Sequence, residues 1–136
     1  LRRQGAFLRA ADGRERRLRV ADPVPVAQMV GSMSWRFMEE PLRSHVLHRL
    51  DRLAAVTDYR CAAHQYRMLA GGHCHAQMFR KLLPWDHAAG VLLHREAGGY
   101  SKHFDGSDYR PTHVTGGLLL APDEASWEAL ADALIR

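Results

Sequence analysis

The chain has 136 residues, the size of one domain, and its composition of 46% hydrophobic and 25% charged residues is typical of a globular protein. No run approaches the roughly 20 apolar residues that a membrane-spanning helix needs, so we expect no membrane partner. The net charge of +4 invites a nucleic-acid role, but the densest arginine cluster has no aromatic stacking platform beside it. We therefore expect no nucleic-acid partner.

The first half of the chain combines a hairpin with one helix. Residues 5–20 predict a β-hairpin that turns at Asp12-Gly13, because glycine tolerates the positive φ of tight hairpin turns. Residues 24–30 are apolar and β-branched and predict a strand despite Pro25. Apolar residues at helical spacing predict a helix from Pro41 to Leu53, followed by a short connection or strand at residues 54–57.

The second half alternates helices with strands. Helices are predicted at residues 61–70, from Asp86 to Gly98-Gly99 and after Pro122-Asp123, and strands at residues 75–80, 100–104 and 114–120. This alternation predicts the α/β class, with at least part of the sheet parallel or mixed.

Asp86 is the residue in this pattern that most invites a chemical interpretation. A carboxylate in the first turn of a helix can cap free amide groups and complement the helix dipole, which needs no function. Alternatively, the small residues Ala88–Gly90 allow another backbone to approach, and Trp85 could shield the carboxylate from water, where a cation is held more tightly. The residues alone leave both interpretations open.

The segment around Asp86 resembles a family signature. From Trp85 to Gly99 the chain matches Trp-Asp-x-Ala-Ala-Gly-x-Leu-Leu-x-x-Glu-Ala-Gly-Gly, the second signature motif of the inositol monophosphatase family. Gly5–Val20 and Arg60–His64 also resemble passages of that family's second half. The resemblance spans nearly the whole chain. It implies one domain, residues 1–136, with the C-terminal α/β half of the inositol monophosphatase and fructose-1,6-bisphosphatase-like fold, a mixed sheet flanked by helices.

The resemblance also implies an activity, the Mg²⁺-dependent hydrolysis of a small phosphate monoester such as an inositol phosphate or a related sugar or polyol phosphate. Asp86 would be the metal ligand and catalytic residue. The residues implied to bind substrate are Arg60, Ala63, His64 and Arg80. Relatives often carry an aspartate where His75 falls and a sugar-binding glutamate where Phe79 falls, so the particular monoester stays open, as do the roles of His64 and Arg80.

The family's other signature segments do not occur in this sequence. Asp22-Pro23 is followed by Val24-Pro25 and cannot replace the Asp-Pro-Leu-Asp-Gly-Thr segment of the first half. One carboxylate cannot hold two Mg²⁺ ions, so we expect the chain alone to be inactive and to need the missing N-terminal half. The absence of an initiator Met suggests that Leu1 is not a natural start. The sequence leaves open whether the protein forms a homodimer. The alternative is a non-catalytic, truncated or degenerate family member that serves as an interaction or dimerisation module.

The remaining cysteines and histidines receive structural interpretations. Cys61 and Cys74 form no disulfide framework, which favours reduced thiols and a cytoplasmic location. Cys74 is predicted to be a small buried residue on a strand rather than a zinc ligand, and Glu96 is predicted to pack or cap. Four histidines are predicted to be exposed or partly buried: His87, His94, His103 and His113.

Overall fold

A five-stranded mixed sheet forms the centre of the fold, seen in a computed structural model that describes residues 5–136. The strands are β1 (Phe7–Arg9), β2 (Glu15–Arg17), β3 (Val30–Met33), β4 (Ala55–Thr57), β5 (Ala76–Phe79), β6 (Tyr100–His103) and β7 (Leu118–Ala121). The helices are α1 (Leu42–Leu47), α2 (Ala62–Ala70), α3 (Pro84–Glu96) and α4 (Glu124–Leu134). The sheet order is β4-β3-β5-β7-β6, with β3 parallel to β4 and β5, and β7 antiparallel to β5 and β6. The predicted α/β class with a mixed sheet is confirmed.

Helices cover both faces of the sheet because the central strands are apolar on both sides. All four residues of β7 are buried, which is the pattern expected when each face of a strand has its own core. On one face Leu119 packs with α4, whose Trp127 donates its indole N–H to the Leu119 carbonyl at 3.0 Å. On the other face Leu118 and Leu120 pack with Tyr66 of α2 and with residues of α3. Within residues 5–136, no helix combines the length and apolar character needed to cross a membrane.

The predicted hairpin forms and is tied to the end of α3. Strands β1 and β2 pair antiparallel with Leu8 opposite Arg16, and Gly13 takes the positive φ of +83° that the turn requires. The amide of Gly5 donates to the carboxylate of Glu96 at 2.8 Å, while Leu18 and Ala97 share a small apolar cluster. Glu96 therefore has the packing role that the sequence indicated.

Three predicted boundaries are wrong, two of them because of local backbone chemistry. Residues 24–30 do not form a strand, because the segment after Pro25 makes a 3-10 turn at Val26–Gln28 and β3 begins only at Val30. The helix predicted over 41–53 ends at Leu47, and a separate 3-10 turn follows at Leu50–Arg52. The strand predicted over 114–120 begins at Leu118, because Gly116 and Gly117 both have positive φ, at +92° and +74°.

Cys74 lies just before β5 rather than on a strand, but it is buried, as predicted. Burial raises the pKa of its thiol to about 11, which makes the thiol unreactive at neutral pH. Both cysteines are free, with Cys61 exposed at the start of α2.

Candidate active site

A cleft of about 400 Å³ opens at the carboxyl ends of the three parallel strands β4, β3 and β5. In open α/β sheets this edge is where ligands bind, because the chain enters loops and helix N-termini there. The N-termini of α2 and α3 both border the cleft. Its lining residues are Ser34, Phe37, Arg60, Cys61, Ala62, Ala63, Gln65, Phe79, Arg80, Lys81, Leu83, Asp86 and His87. Four of the five predicted site residues are in this set, and His64 is the exception.

Asp86 presents an uncommitted carboxylate to this cleft from the first turn of α3. The helix begins with Pro84 and has no side-chain cap, so Asp86 does not cap it, although its carboxylate lies in the first turn, where it complements the helix dipole. Its backbone amide donates to the Leu83 carbonyl at 3.0 Å, but its carboxylate makes no hydrogen bond or ion pair with any described residue. Trp85 does not shield it, since that side chain is 78% exposed and lies outside the cleft lining. Asp86 is therefore an accessible oxygen ligand.

Arg60 is held at the rim by an unusual backbone conformation. It has a positive φ of +54°, which costs a side-chain-bearing residue about 1–3 kcal/mol. The Arg60 amide donates to the Asp58 carboxylate at 3.1 Å, which fixes this turn. Asp58 is largely buried and lies 3.8 Å from the guanidinium of Arg36, which in turn stacks over the ring of Trp35. The position of Arg60 thus depends on its hydrogen bond to Asp58 and on the contact of Asp58 with Arg36.

The first turn of α2 contributes backbone donors to the cleft. The Cys61 side chain makes no capping hydrogen bond, and Gln65 is the first residue whose amide bonds within the helix, to the Cys61 carbonyl at 3.0 Å. The amides of Ala62 and Ala63 consequently have no acceptor among the described residues. His64 points its ring at Tyr59 instead, edge to face with centroids 5.0 Å apart. The predicted placement of His64 in the cleft is therefore not supported.

The floor of the cleft is a packed aromatic cluster. His87 stands 4.5 Å from Phe79 between ring centroids, and the Tyr66 hydroxyl bonds His87 Nδ1 at 3.0 Å. Burial lowers the pKa of His87 and raises the pKa of Tyr66 well above its usual value, so both stay neutral near pH 7. Phe79 occupies the position where the resemblance leads one to expect a glutamate, and it makes this floor apolar.

The prediction that His87, His94 and His103 would be exposed or partly buried is wrong, whereas His113 is exposed. On α3, His87, Val91 and His94 occupy one helical face, and that face packs inward. His94 Nδ1 bonds the Ser101 hydroxyl at 2.8 Å, and burial lowers the pKa of His94 to about 3. His103 Nδ1 donates to the Gly117 carbonyl at 2.9 Å. The helical spacing of His87 and His94 with the apolar Val91 was the sequence signal that could have predicted their burial.

The residues present can supply part of a magnesium site. Among residues 5–136 there is no group of three or more histidine, cysteine, aspartate or glutamate side chains that could hold a metal ion. Mg²⁺ takes oxygen ligands and keeps several waters, and one accessible carboxylate suits it as a single ligand. Asp86 therefore fits the ion, provided that further carboxylates come from outside the described residues.

Comparison with known proteins identifies relatives across the whole chain. The sequence profile of the inositol monophosphatase family matches residues 1–136. An inositol-1-monophosphatase of Caulobacter vibrioides is 33% identical over 125 residues, which cover 89% of this chain and 46% of that protein. The chain thus spans about half the length of this curated relative.

Solved structures share the fold. An inositol monophosphatase from Zymomonas mobilis aligns with a TM-score of 0.78 at 18% identity, over 94% of this chain and 52% of its own. An inositol monophosphatase from Anabaena (Nostoc) aligns with a TM-score of 0.74 at 23% identity, over 95% of this chain and 53% of its own. A staphylococcal inositol monophosphatase aligns with a TM-score of 0.77 at 16% identity, over 89% of this chain and 48% of its own. In each case the similarity is confined to about half of the solved chain.

Proposed function

Because this chain belongs to the inositol monophosphatase family, we propose that it supplies the C-terminal half of a phosphatase that hydrolyses a small phosphate monoester with Mg²⁺. The observation that carries this proposal is the free carboxylate of Asp86, which lies in the cleft within the matched signature segment. The substrate class is an inositol phosphate or a related sugar or polyol phosphate.

In the proposed mechanism Asp86 supplies one oxygen ligand to Mg²⁺. When bound, the ion lowers the pKa of a water nucleophile and neutralises charge on the phosphate and the leaving oxygen. Arg60, Arg80 and the free amides at Ala62 and Ala63 hold the substrate by donating hydrogen bonds to its anionic and hydroxyl oxygens. The apolar floor beneath them excludes water from one side of the substrate, which strengthens these contacts.

We further propose that the 136-residue chain by itself does not turn over substrate. A single carboxylate cannot hold the two ions that in-line phosphoryl transfer uses, and the other half of the family fold would bring the rest. The substrate's other contacts would also come partly from that half. The two free cysteines are in keeping with a reducing, cytoplasmic location.

The test is Asp86→Asn in the complete gene product. This substitution keeps the size of the side chain but removes its charge, so Mg²⁺-dependent release of phosphate from an inositol monophosphate should fall at least about a hundredfold. The melting temperature should change little, because the carboxylate forms no ion pair within residues 5–136. Asp132→Asn on α4, outside the cleft, is the matched control and should retain full activity. Undiminished turnover in Asp86→Asn would refute the assignment.

A second candidate function, an interaction or dimerisation module without catalysis, is favoured by one observation. Trp85, Ala89 and Leu92 form an exposed apolar stripe on α3, with Trp85 78% and Leu92 53% exposed. Such a stripe needs cover from another surface. This alternative predicts no turnover from the complete gene product and no rise in its melting temperature when Mg²⁺ is added. The phosphatase proposal predicts turnover and a rise in the melting temperature.

A further inference from the structure

The first turn of α3, which carries Asp86, has one fully buried side chain. The helix begins without a side-chain cap, and the side chains of Trp85 and Asp86 are exposed. His87 is the buried residue of this turn, with 3% of its surface accessible. Because the ends of helices fray unless packing holds them, the position of the Asp86 carboxylate depends on how firmly the neighbouring His87 is held.

Tyr66 of α2 holds the ring of His87 by a buried hydrogen bond. The Tyr66 hydroxyl lies 3.0 Å from His87 Nδ1, and both side chains are almost completely buried. Phe79 packs against both rings, with its centroid 5.2 Å from that of Tyr66 and 4.5 Å from that of His87. Breaking the bond would leave a buried polar atom without a partner, which costs free energy. The hydrogen bond therefore favours one orientation of His87.

The same tyrosine also determines how closely α2 and α3 approach each other. Gly90 lies one turn after His87, and a methyl group in place of its hydrogen would overlap the ring of Tyr66. The ring therefore packs directly on the backbone of α3. On α2, Ala62 and Ala63 lie one turn before Tyr66, and their amides, which have no acceptor among the described residues, border the cleft. One side chain thus fixes the spacing between the two helix N-termini that meet at the cleft.

We infer that Tyr66 is a positioning residue for Asp86. By holding His87 and packing on Gly90, it fixes the Asp86 carboxylate relative to the free amides of α2. This inference rests on the proposed function and deepens it. Tyr66 is not among the residues that line the cleft, so it acts through His87 rather than on the substrate. Residues that orient a metal ligand from behind change metal affinity or activity by about tenfold to a hundredfold when they are mutated.

The first test measures hydrogen exchange of backbone amides in the complete protein without metal. The amides of Asp86 and His87 both donate to the Leu83 carbonyl, at 3.0 Å and 3.2 Å, so they report whether the first turn of α3 is formed. In Tyr66→Phe, which removes only the hydroxyl, both amides should exchange about tenfold or more faster than in the wild type. The amide of Trp127, in the first turn of α4, should keep its wild-type rate.

Two matched variants separate positioning from a general loss of stability. Ser101→Ala breaks the 2.8 Å bond to His94 Nδ1, which is the same kind of buried histidine contact at the other end of α3. It should lower the melting temperature as Tyr66→Phe does, but leave exchange in the first turn of α3 within about twofold of the wild type. Tyr109→Phe removes a buried hydroxyl that has no partner among the described residues, and it should change neither quantity. Equal acceleration in Tyr66→Phe and Ser101→Ala, or none in Tyr66→Phe, overturns the inference.

The second test measures the Mg²⁺ dependence of turnover in the complete protein with an inositol monophosphate. In Tyr66→Phe the Mg²⁺ concentration for half-maximal activity should rise about fivefold or more, while KM for the substrate at saturating Mg²⁺ stays within about twofold of the wild type. Ser101→Ala should leave both quantities unchanged. An unchanged Mg²⁺ requirement in Tyr66→Phe overturns the inference and leaves the phosphatase assignment intact.

A second variant keeps the inference testable if Tyr66→Phe does not fold. His87→Phe breaks the same hydrogen bond from the other side and should accelerate exchange at Asp86 and raise the Mg²⁺ requirement in the same way. Where both single variants fold, the double variant should show no larger effect than either, because one bond is responsible. Additive effects overturn the inference. If the wild type shows no Mg²⁺-dependent turnover, the proposed function fails, and hydrogen exchange alone decides whether Tyr66 fixes the turn that carries Asp86.

Discussion

Acid should destabilise this protein through His94. Its side chain is fully buried, its Nδ1 bonds the Ser101 hydroxyl at 2.8 Å, and burial lowers its pKa from 6.5 to about 3. Because the folded pKa is the lower one, the unfolded chain takes up a proton first as the pH falls. Above about pH 6.5 the buried His94 therefore does not lower the free energy of unfolding. Between about pH 6.5 and about pH 3 its destabilising contribution grows as the pH falls.

The size of the effect follows from the proton that the unfolded state binds. At about pH 5 the unfolded histidine is almost fully protonated and the folded one is still neutral, which costs about 2 kcal/mol at about 1.4 kcal/mol per pH unit. That is a large share of the roughly 5–15 kcal/mol that stabilises an ordinary domain. His94→Asn removes the titrating group while retaining a neutral side chain that can bond a hydroxyl.

The assay is urea unfolding of the wild type and of His94→Asn at several values between about pH 7.5 and about pH 5. The variant is expected to be less stable at neutral pH, because a smaller side chain leaves a cavity. Its free energy of unfolding should nevertheless fall by about 2 kcal/mol less than that of the wild type over this range. His73→Asn, which replaces an exposed histidine, should parallel the wild type. Parallel curves for the wild type and His94→Asn would refute the reasoning.

Two further substitutions test the packing that positions the site. Gly90→Ala should lower the free energy of unfolding by about 1–3 kcal/mol in urea denaturation, although alanine favours helices, because the added methyl would overlap the buried ring of Tyr66. Leu92→Ala on the exposed side of the same helix should cost less, and an equal or smaller loss in Gly90→Ala would contradict the close approach of α2 and α3. Asp123→Ala should cost about 1 kcal/mol, because Asp123 caps α4 by accepting the Ser126 amide at 2.8 Å. An unchanged midpoint would show that this cap contributes nothing.

Much of the architecture could be predicted from local patterns. The hairpin at Asp12-Gly13, the alternation of helices and strands in the second half, and the final helix after Pro122-Asp123 all formed as the sequence indicated. These features depend on turn chemistry and on periodicity within one segment, which neighbouring residues determine. Two of the three boundaries that failed lie beside Pro25 and the Gly116-Gly117 pair, where backbone restrictions override an apolar pattern.

The sequence selected one residue that lines the candidate cleft, but it did not reveal which other residues share that cleft with it. A signature segment of fifteen residues was sufficient to select Asp86, because the motif is contiguous in sequence. The cleft itself joins Ser34, Arg60, Arg80 and Asp86, which are brought together only because β3 lies between its parallel neighbours β4 and β5.

The buried histidines mark the limit of the sequence by itself. Helical spacing shows that His87, Val91 and His94 share a face, but whether that face is covered depends on what packs against it. Each ring is buried because the fold provides a hydrogen-bond partner, Tyr66 for His87 and Ser101 for His94. Burying a polar group costs less free energy when it has a hydrogen-bond partner, and which distant segment supplies that partner is decided by the tertiary structure.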